Sequence, residues 1–292
     1  MRYAALVVPV IGAAILAGCS EGVLDPQGPI ASAQRLILFN STGIMLAIVI
    51  PTVLATLAVA FWFRASNSRA TYLPDFQYSG RLEILVWSIP IMTIFLVGGV
   101  AWVGAYDLDP PKPIASDVKP LRVQVVSLDW KWLFIYPEQG IASVNQLTIP
   151  ANTPVSFELT SSGVMNSFLV PQLAGQIYTM AKMVTRLNLL ADHPGKYYGL
   201  SAQFSGEGFA DMHFIVDAVP AGQFAQWVDT TRTDGPVLDA QAYADLTKPS
   251  QAVAPFTYRS VGADLFNQIV TSEAQFDDPI QRVCVASQRA EK

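Results

Sequence analysis

Two long apolar runs set the limits on how this chain can fold. Residues 42–63 and residues 84–106 contain no charged side chain. Each matches the ~20 residues a helix needs to cross a bilayer. Helices buried in a soluble core are usually shorter than this. The runs therefore predict two membrane spans joined as a hairpin. Pro51 and Pro90 lie inside them, which a membrane helix tolerates where neighbouring groups or a Thr hydroxyl satisfy the freed carbonyl. Trp62, Trp87 and Trp102 sit near the ends, where interfacial aromatics belong. Composition agrees, with 51% hydrophobic residues, 14% charged residues and a mean hydropathy of +0.34.

The direction of the hairpin follows from charge and from the N-terminus. The connecting loop, residues 64–83, carries Arg64, Arg69 and Arg81, whereas residues 19–41 carry Arg35 alone as a basic residue. An excess of Arg marks the cytoplasmic side, so both outer ends of the hairpin face away from the cytoplasm. Glu83, at the mouth of the second span, reads as an interfacial carboxylate beside Arg81. Met1-Arg2 and the apolar stretch 3–16 form an export signal too short to span. Leu16-Ala17-Gly18-Cys19 resembles the bacterial lipobox. That resemblance implies removal of residues 1–18 and a lipid on Cys19, which would supplement the two spans as a tether. The only other cysteine, Cys284, reads as a free thiol, so no disulfide framework is expected.

Beyond the hairpin the character changes. Residues 1–106 are near neutral at +1, so the acidic surplus of −6 lies beyond them. Nucleic acid is excluded as a partner. Residues 107–120 are a Pro- and Asp-rich linker, stiff and non-helical. Short runs at 121–127, 130–136, 154–160, 183–190 and 212–218 follow, with turn residues between them. This pattern predicts a β-sandwich or barrel over residues 121–219. From Ala221 onward Phe224, Trp227 and Val228 fall at helical spacing, as do residues 240–246 and 264–270. Residues 220–270 thus read as a helical extension packed on the sandwich or on a partner, and residues 271–292 as a polar tail.

One stretch narrows the class. Val164-Met165-Asn166-Ser167-Phe168 and the run from Gly199 through Ser201, Gln203, Ser205 and Phe209 to Met212 resemble the dinuclear-copper motif of subunit II of the haem–copper oxidases. The positions of that family's metal ligands are here Asn166, Ser201, Gln203, Ser205, Phe209 and Met212. The thiolate and imidazole positions hold Asn166, Ser201, Ser205 and Phe209, and only the Met is kept. Ser hydroxyl and Asn amide do not replace thiolate and imidazole toward copper. The Gln203 carbonyl and Met212 alone do not hold it. The family's Glu at the Gln203 position also touches a magnesium ion, and Gln puts that contact in doubt. His193, in an Asp-His-Pro-Gly turn, and His213, next to Met212 and on the opposite side of a strand, form no cluster.

The segment from Asp129-Trp130-Lys131-Trp132 to Gly140, with Gln176-Ile177-Tyr178 and Met183-Val184-Thr185-Arg186-Leu187, is similar to the quinol-oxidising branch, the cytochrome bo-type ubiquinol oxidases. The resemblance implies an all-β cupredoxin-like sandwich behind a two-helix transmembrane hairpin, with a small helical C-terminal extension. It implies a non-catalytic subunit II of a bacterial inner-membrane complex that oxidises ubiquinol, reduces oxygen to water and pumps protons. On that reading the sandwich is periplasmic and this chain holds no cofactor and no metal. Haem and copper sit in subunit I, and the partners are subunit I, further oxidase subunits and the bilayer, without cytochrome c. Two alternatives stay open. One is a cytochrome c oxidase subunit II with an unusual copper site; the other is a stand-alone cupredoxin-like lipoprotein that binds a protein partner.

Overall fold

A computed structural model describes residues 22–71 and 73–271. The expected signal peptide, the Cys19 lipid site and Cys284 lie outside the described residues. The chain divides into two compact units, residues 33–109 and a second formed by the residues on either side.

The first unit is a pair of helices. Helix α1 spans Pro29–Trp62 and α2 spans Gly80–Asp107. Both are long and apolar enough to cross a membrane, and their most apolar stretches are unburied. Helix α1 starts well before the apolar run that signals it. Pro29 opens it, a position where the missing N–H costs nothing. At about 1.5 Å per residue its 34 residues reach about 50 Å, beyond the ~30 Å hydrocarbon core. The Thr52 hydroxyl donates to the Ile48 carbonyl at 2.7 Å, one residue past the Ala47 carbonyl that Pro51 leaves free. The two helices approach closely where Gly104 faces the Ile37 side chain.

The second unit is a two-sheet sandwich, the architecture that the resemblance implies. Its strands are β1 (Leu121–Leu128), β2 (Lys131–Tyr136), β3 (Ile141–Val144), β4 (Gln146–Pro150), β5 (Val155–Ser161), β6 (Asn166–Leu169), β7 (Ile177–Thr179), β8 (Thr185–Leu189), β9 (Gly195–Ser201) and β10 (His213–Val219). One sheet runs β12-β3-β2-β1-β5-β8 and the other β4-β10-β9-β6-β7, where β12 is Phe256–Tyr258. Pairs β1–β5 and β4–β10 are parallel. Between the sheets Phe168 stacks on Phe214 at 5.1 Å, and Trp132 meets Phe168 edge-on at 5.4 Å. Such pairs add roughly 0.5–1.5 kcal/mol each beyond their buried area.

The C-terminal extension is only partly helical. Helices α3 (Ala221–Thr233), α4 (Ala240–Leu246) and α5 (Leu265–Thr271) alternate with β11 (Val237–Leu238), β12 and β13 (Ser260–Val261). Strand β12 extends the first sheet by pairing with β3, and the arm covers that sheet's outer face. Leu238, Leu246, Leu265 and Phe266 pack there on Val126, Leu133 and Ile135. This explains why β2 is apolar without alternation from Trp132 to Tyr136. Trp132, Phe134 and Tyr136 face the inter-sheet core, whereas Leu133 and Ile135 face the arm. All six residues of β2 are buried.

The free edge of β8 is also occupied. Asn188 takes the Pro110 carbonyl on its backbone N–H at 3.0 Å, and its amide donates to the Pro111 carbonyl at 3.0 Å. Just past β8, the Asp192 N–H donates to the Gln27 carbonyl at 2.9 Å. Gly28 lies so close to the Leu190 carbonyl that a Cβ would overlap it. The segment before α1 and the linker after α2 thus cap an edge that would otherwise invite pairing with another chain.

Candidate functional site

The sandwich brings together residues far apart in sequence at the end where the β5–β6 and β9–β10 connections meet. Strand β6 pairs antiparallel with both β7 and β9, opposing Asn166 to Thr179 and Phe168 to Ser201. The Ser201 N–H donates to the Met212 carbonyl at 3.0 Å, and the Ala202 N–H to the Ser167 carbonyl at 2.9 Å. Asn166, Ser201 and Met212 are each at most 2% exposed. Buried polar groups of this kind must find partners.

They find one another. The Ser201 hydroxyl donates toward Asn166 Oδ1 at 3.1 Å and lies 3.3 Å from the Gln203 carbonyl. The Asn166 amide donates to the Val164 carbonyl at 3.2 Å. The Thr179 hydroxyl sits 2.9 Å from that of Ser127 and 3.3 Å from the Asn166 carbonyl. Ser205 Oγ stands 4.0 Å from the Met212 sulfur, and Met212 belongs to the inter-sheet core. The Phe209 ring packs edge-on against the exposed Phe204 at 5.6 Å. Of the six positions the sequence motif picks out, Asn166, Ser201 and the Gln203 carbonyl form one bonded group. Ser205 and Met212 touch each other, and Phe209 turns to Phe204.

Copper is the group that the resemblance attaches to this place, and these residues do not fit it. The side chains are an amide, two hydroxyls, a phenyl ring and one thioether, all neutral. The amide and the Ser201 hydroxyl are already hydrogen-bonded to each other. Soft thiolate and imidazole donors are what a copper pair needs. Among the described residues no group of His, Cys, Asp and Glu side chains is placed to hold a metal ion. His193 is exposed in its turn, and His213 stacks on Tyr198 at 5.6 Å on the outer face.

Trp130 supports the frame of the β9–β10 loop. Its indole N–H donates to the Ser205 carbonyl at 3.1 Å. A Cβ on Gly208 would lie 2.5 Å from the Trp130 ring, so the loop closes over the indole only with glycine there. Trp130 itself has φ 62°, an uncommon conformation for a bulky residue that holds when its surroundings over-determine it.

Lys131 is a residue that the sequence motif contains but whose place it does not reveal. It is 1% exposed. Its ammonium donates to the Lys248 carbonyl at 2.8 Å, the Ser250 hydroxyl at 2.6 Å and the Asp129 carbonyl at 3.3 Å. Burial lowers its pKa, opposed by the charge of Asp129; burial raises that of Asp129, opposed by Lys131. Next to it the Asn145 amide donates to the Val253 carbonyl at 2.8 Å, and its oxygen accepts the Trp132 N–H at 2.9 Å. These two side chains fasten the arm to the sandwich. A lysine inside the apolar run 130–136 was the only sign of it.

Known proteins carry the same parts. The family described as cytochrome c oxidase subunit II, periplasmic domain, matches residues 137–219, and the COX aromatic-rich motif matches residues 232–272. The cytochrome bo(3) ubiquinol oxidase subunit 2 of Pseudomonas aeruginosa is 44% identical over 266 residues, covering 91% of this chain and 80% of that protein. Its counterpart in Pseudomonas putida is 45% identical over 271 residues, covering 92% and 86%. The ubiquinol oxidase subunit 2 of Acetobacter aceti is 46% identical over 260 residues, covering 88% and 84%. With identity of this order along nearly its whole length, two apolar helices and a subunit II sandwich, the chain belongs to the subunit 2 family of the cytochrome bo(3)-type ubiquinol oxidases.

Proposed function

We propose that this chain is the non-catalytic subunit II of a proton-pumping terminal quinol oxidase in a bacterial inner membrane. The complex oxidises ubiquinol and reduces oxygen to water. This chain anchors and shapes it, with a lipid on Cys19, two spans in the bilayer and a periplasmic sandwich. Haem and copper belong to subunit I, and the chain's other partners are the remaining oxidase subunits. The names of the relatives support the substrate class.

One observation carries the division of labour. At the place where the family motif would hold copper, Asn166 and Ser201 are bonded to each other and buried. A domain with neutral, mutually satisfied groups there has no means of taking electrons from a water-soluble donor. Quinol, dissolved in the bilayer, delivers its electrons inside the membrane and does not need that route. What the residues retain is mechanical: Trp130 holds the loop, and Lys131 and Asn145 hold the arm.

The test is to purify the complex through this subunit and measure its metals beside oxygen uptake from ubiquinol and from reduced cytochrome c. Uptake from ubiquinol alone, with copper confined to subunit I, supports the reading. Copper bound to this subunit together with cytochrome c turnover overturns it in favour of a cytochrome c oxidase. Recovery without any haem-bearing partner overturns it in favour of a free lipoprotein.

A further inference from the structure

At the inner end of the helix pair the chain forms a groove of about 710 Å³, a size suited to a small-molecule ligand. Val59, Phe63, Leu73 and Leu82 give it apolar walls, and Arg64 and Asn67 stand on its polar side. These apolar side chains are more than half exposed, beside the end of a helix long enough to cross a membrane. Solvent is a poor neighbour for such a surface, and lipid is a good one.

Arg64 is held in place but not saturated. Its guanidinium lies 4.0 Å from the centre of the Phe61 ring. Nε donates to the Ser66 hydroxyl at 3.0 Å, and Nη1 donates to the Phe61 carbonyl at 2.8 Å. A guanidinium has five N–H donors in a fixed fork, and the fork matches phosphate oxygens in pairs. The turn that presents it is fixed as well. The Asn67 N–H donates to the Arg64 carbonyl at 2.9 Å, the Asn67 amide to the Trp62 carbonyl, and Asn67 Oδ1 accepts the Arg69 N–H at 3.1 Å. The loop of residues 64–83 holds three Arg against Asp75 and Glu83, a net charge of +1, so the surroundings favour an anion over a zwitterion.

We propose that this groove is a binding site for an anionic phospholipid, its phosphate on Arg64 and one acyl chain along Val59, Phe63 and Leu82. A basic pocket beside membrane helices with an apolar trough is the chemistry that selects such a lipid. Arg69 adds field, and Arg64 provides the contact. The site is independent of the reading of the sandwich and of which electron donor the complex uses.

The test uses the full-length chain purified from membranes with its bound subunits. The preparation is stripped of lipid in detergent and then offered phosphatidylglycerol or phosphatidylcholine with the same acyl chains. Bound lipid is counted by extraction and mass spectrometry. The wild type should take up phosphatidylglycerol several-fold better than phosphatidylcholine, and excess inorganic phosphate should not displace it. Arg64→Gln should lose that preference, while Arg64→Lys, which keeps the charge without the fork, should retain part of it. Equal uptake by wild type and Arg64→Gln would overturn the proposal, as would displacement by inorganic phosphate. So would a groove that takes neither lipid because a partner subunit covers it.

Discussion

The sandwich buries two polar networks, one at the β6–β9 end and one on the outer face of the first sheet, and they are built differently. At the β6–β9 end, Asn166 and Ser201 are neutral, buried and answered by each other and by nearby carbonyls. On the outer face of the first sheet, Lys131 is charged, equally buried and answered only by groups that arrive from the arm more than a hundred residues later, apart from its own neighbour Asp129. The first network lies wholly inside the sandwich. The second joins the sandwich to a separate stretch of chain. A frame filled by small neutral polar groups that bond one another closes on itself and loses little when one is truncated. A buried ammonium, by contrast, is tolerable only while its partners stay docked. The loop end should therefore respond weakly to mutation and the arm face strongly.

The largest effect belongs to the apolar contact beneath the arm. Leu133 is fully buried and packs in the cluster that the arm completes. Leu133→Ala should lower stability by about 2–5 kcal/mol. Its loss should appear first as faster protease cleavage within residues 247–255, before the sandwich itself melts. If the arm and sandwich come apart together, the arm is no separate layer.

Lys131→Met comes next. It keeps the stem and removes the donors, leaving the Lys248 carbonyl and Ser250 hydroxyl without their partner. A loss of about 1–3 kcal/mol is expected, read as a lower thermal midpoint with arm cleavage as in Leu133→Ala. A higher midpoint would mean that the desolvated charge costs more than its bonds return, and the fastening would then rest on apolar contacts alone.

High pH separates the two faces by a different route. Burial raises the pKa of Tyr136, in the inter-sheet core, and of Tyr243, on the arm side. Their unfolded values lie near 10. A folded pKa above the unfolded one contributes stability that is complete below pH 10 and is lost as pH rises past it, at up to about 1.4 kcal/mol per unit for each group. Alkaline titration should show delayed tyrosinate absorbance followed by cooperative unfolding. Tyr243→Phe should delay release of the arm. The Tyr136 hydroxyl donates to the Thr148 carbonyl and accepts the Thr148 N–H, so Tyr136→Phe should weaken the sandwich at every pH.

What could be read before the structure depended on how far apart the cause and its partner lie. The spans announced themselves through unbroken apolarity, and β1, β5 and β10 through alternation. Strands β3 and β4 did not, because they are short and meet at Asn145, whose φ of 54° makes a tight corner. The early start of α1 was hidden because residues 29–41 mix polar and apolar side chains. The motif positions Asn166, Ser201, Ser205, Phe209 and Met212 were visible as a set because the residues around them keep the spacing of the motif. That Asn166 and Ser201 bond each other was not, since the pair is 35 residues apart and neither side chain names its partner. Lys131 was hidden for the same reason, and β12 because a strand of three residues carries no periodicity of its own.

The smallest effect is the most direct probe of the loop end. Asn166→Ala and Ser201→Ala, made singly and together, form a double-mutant cycle across the 3.1 Å bond. The Ser201 hydroxyl keeps the Gln203 carbonyl when Asn166 is truncated, so the single losses should be modest. The coupling between them should be about 0.5–1.5 kcal/mol, the range for a neutral buried hydrogen bond. Zero coupling would mean that each group is satisfied elsewhere and that the pair does not close the site. A coupling well above that range would mean that the neutral network is as cooperative as the charged one, and the contrast between the two faces would fail. Because neither variant removes apolar core, the cycle tests the bond alone. A self-contained network should also leave the docking of the arm untouched in all three variants, which the same cleavage assay on residues 247–255 reads directly.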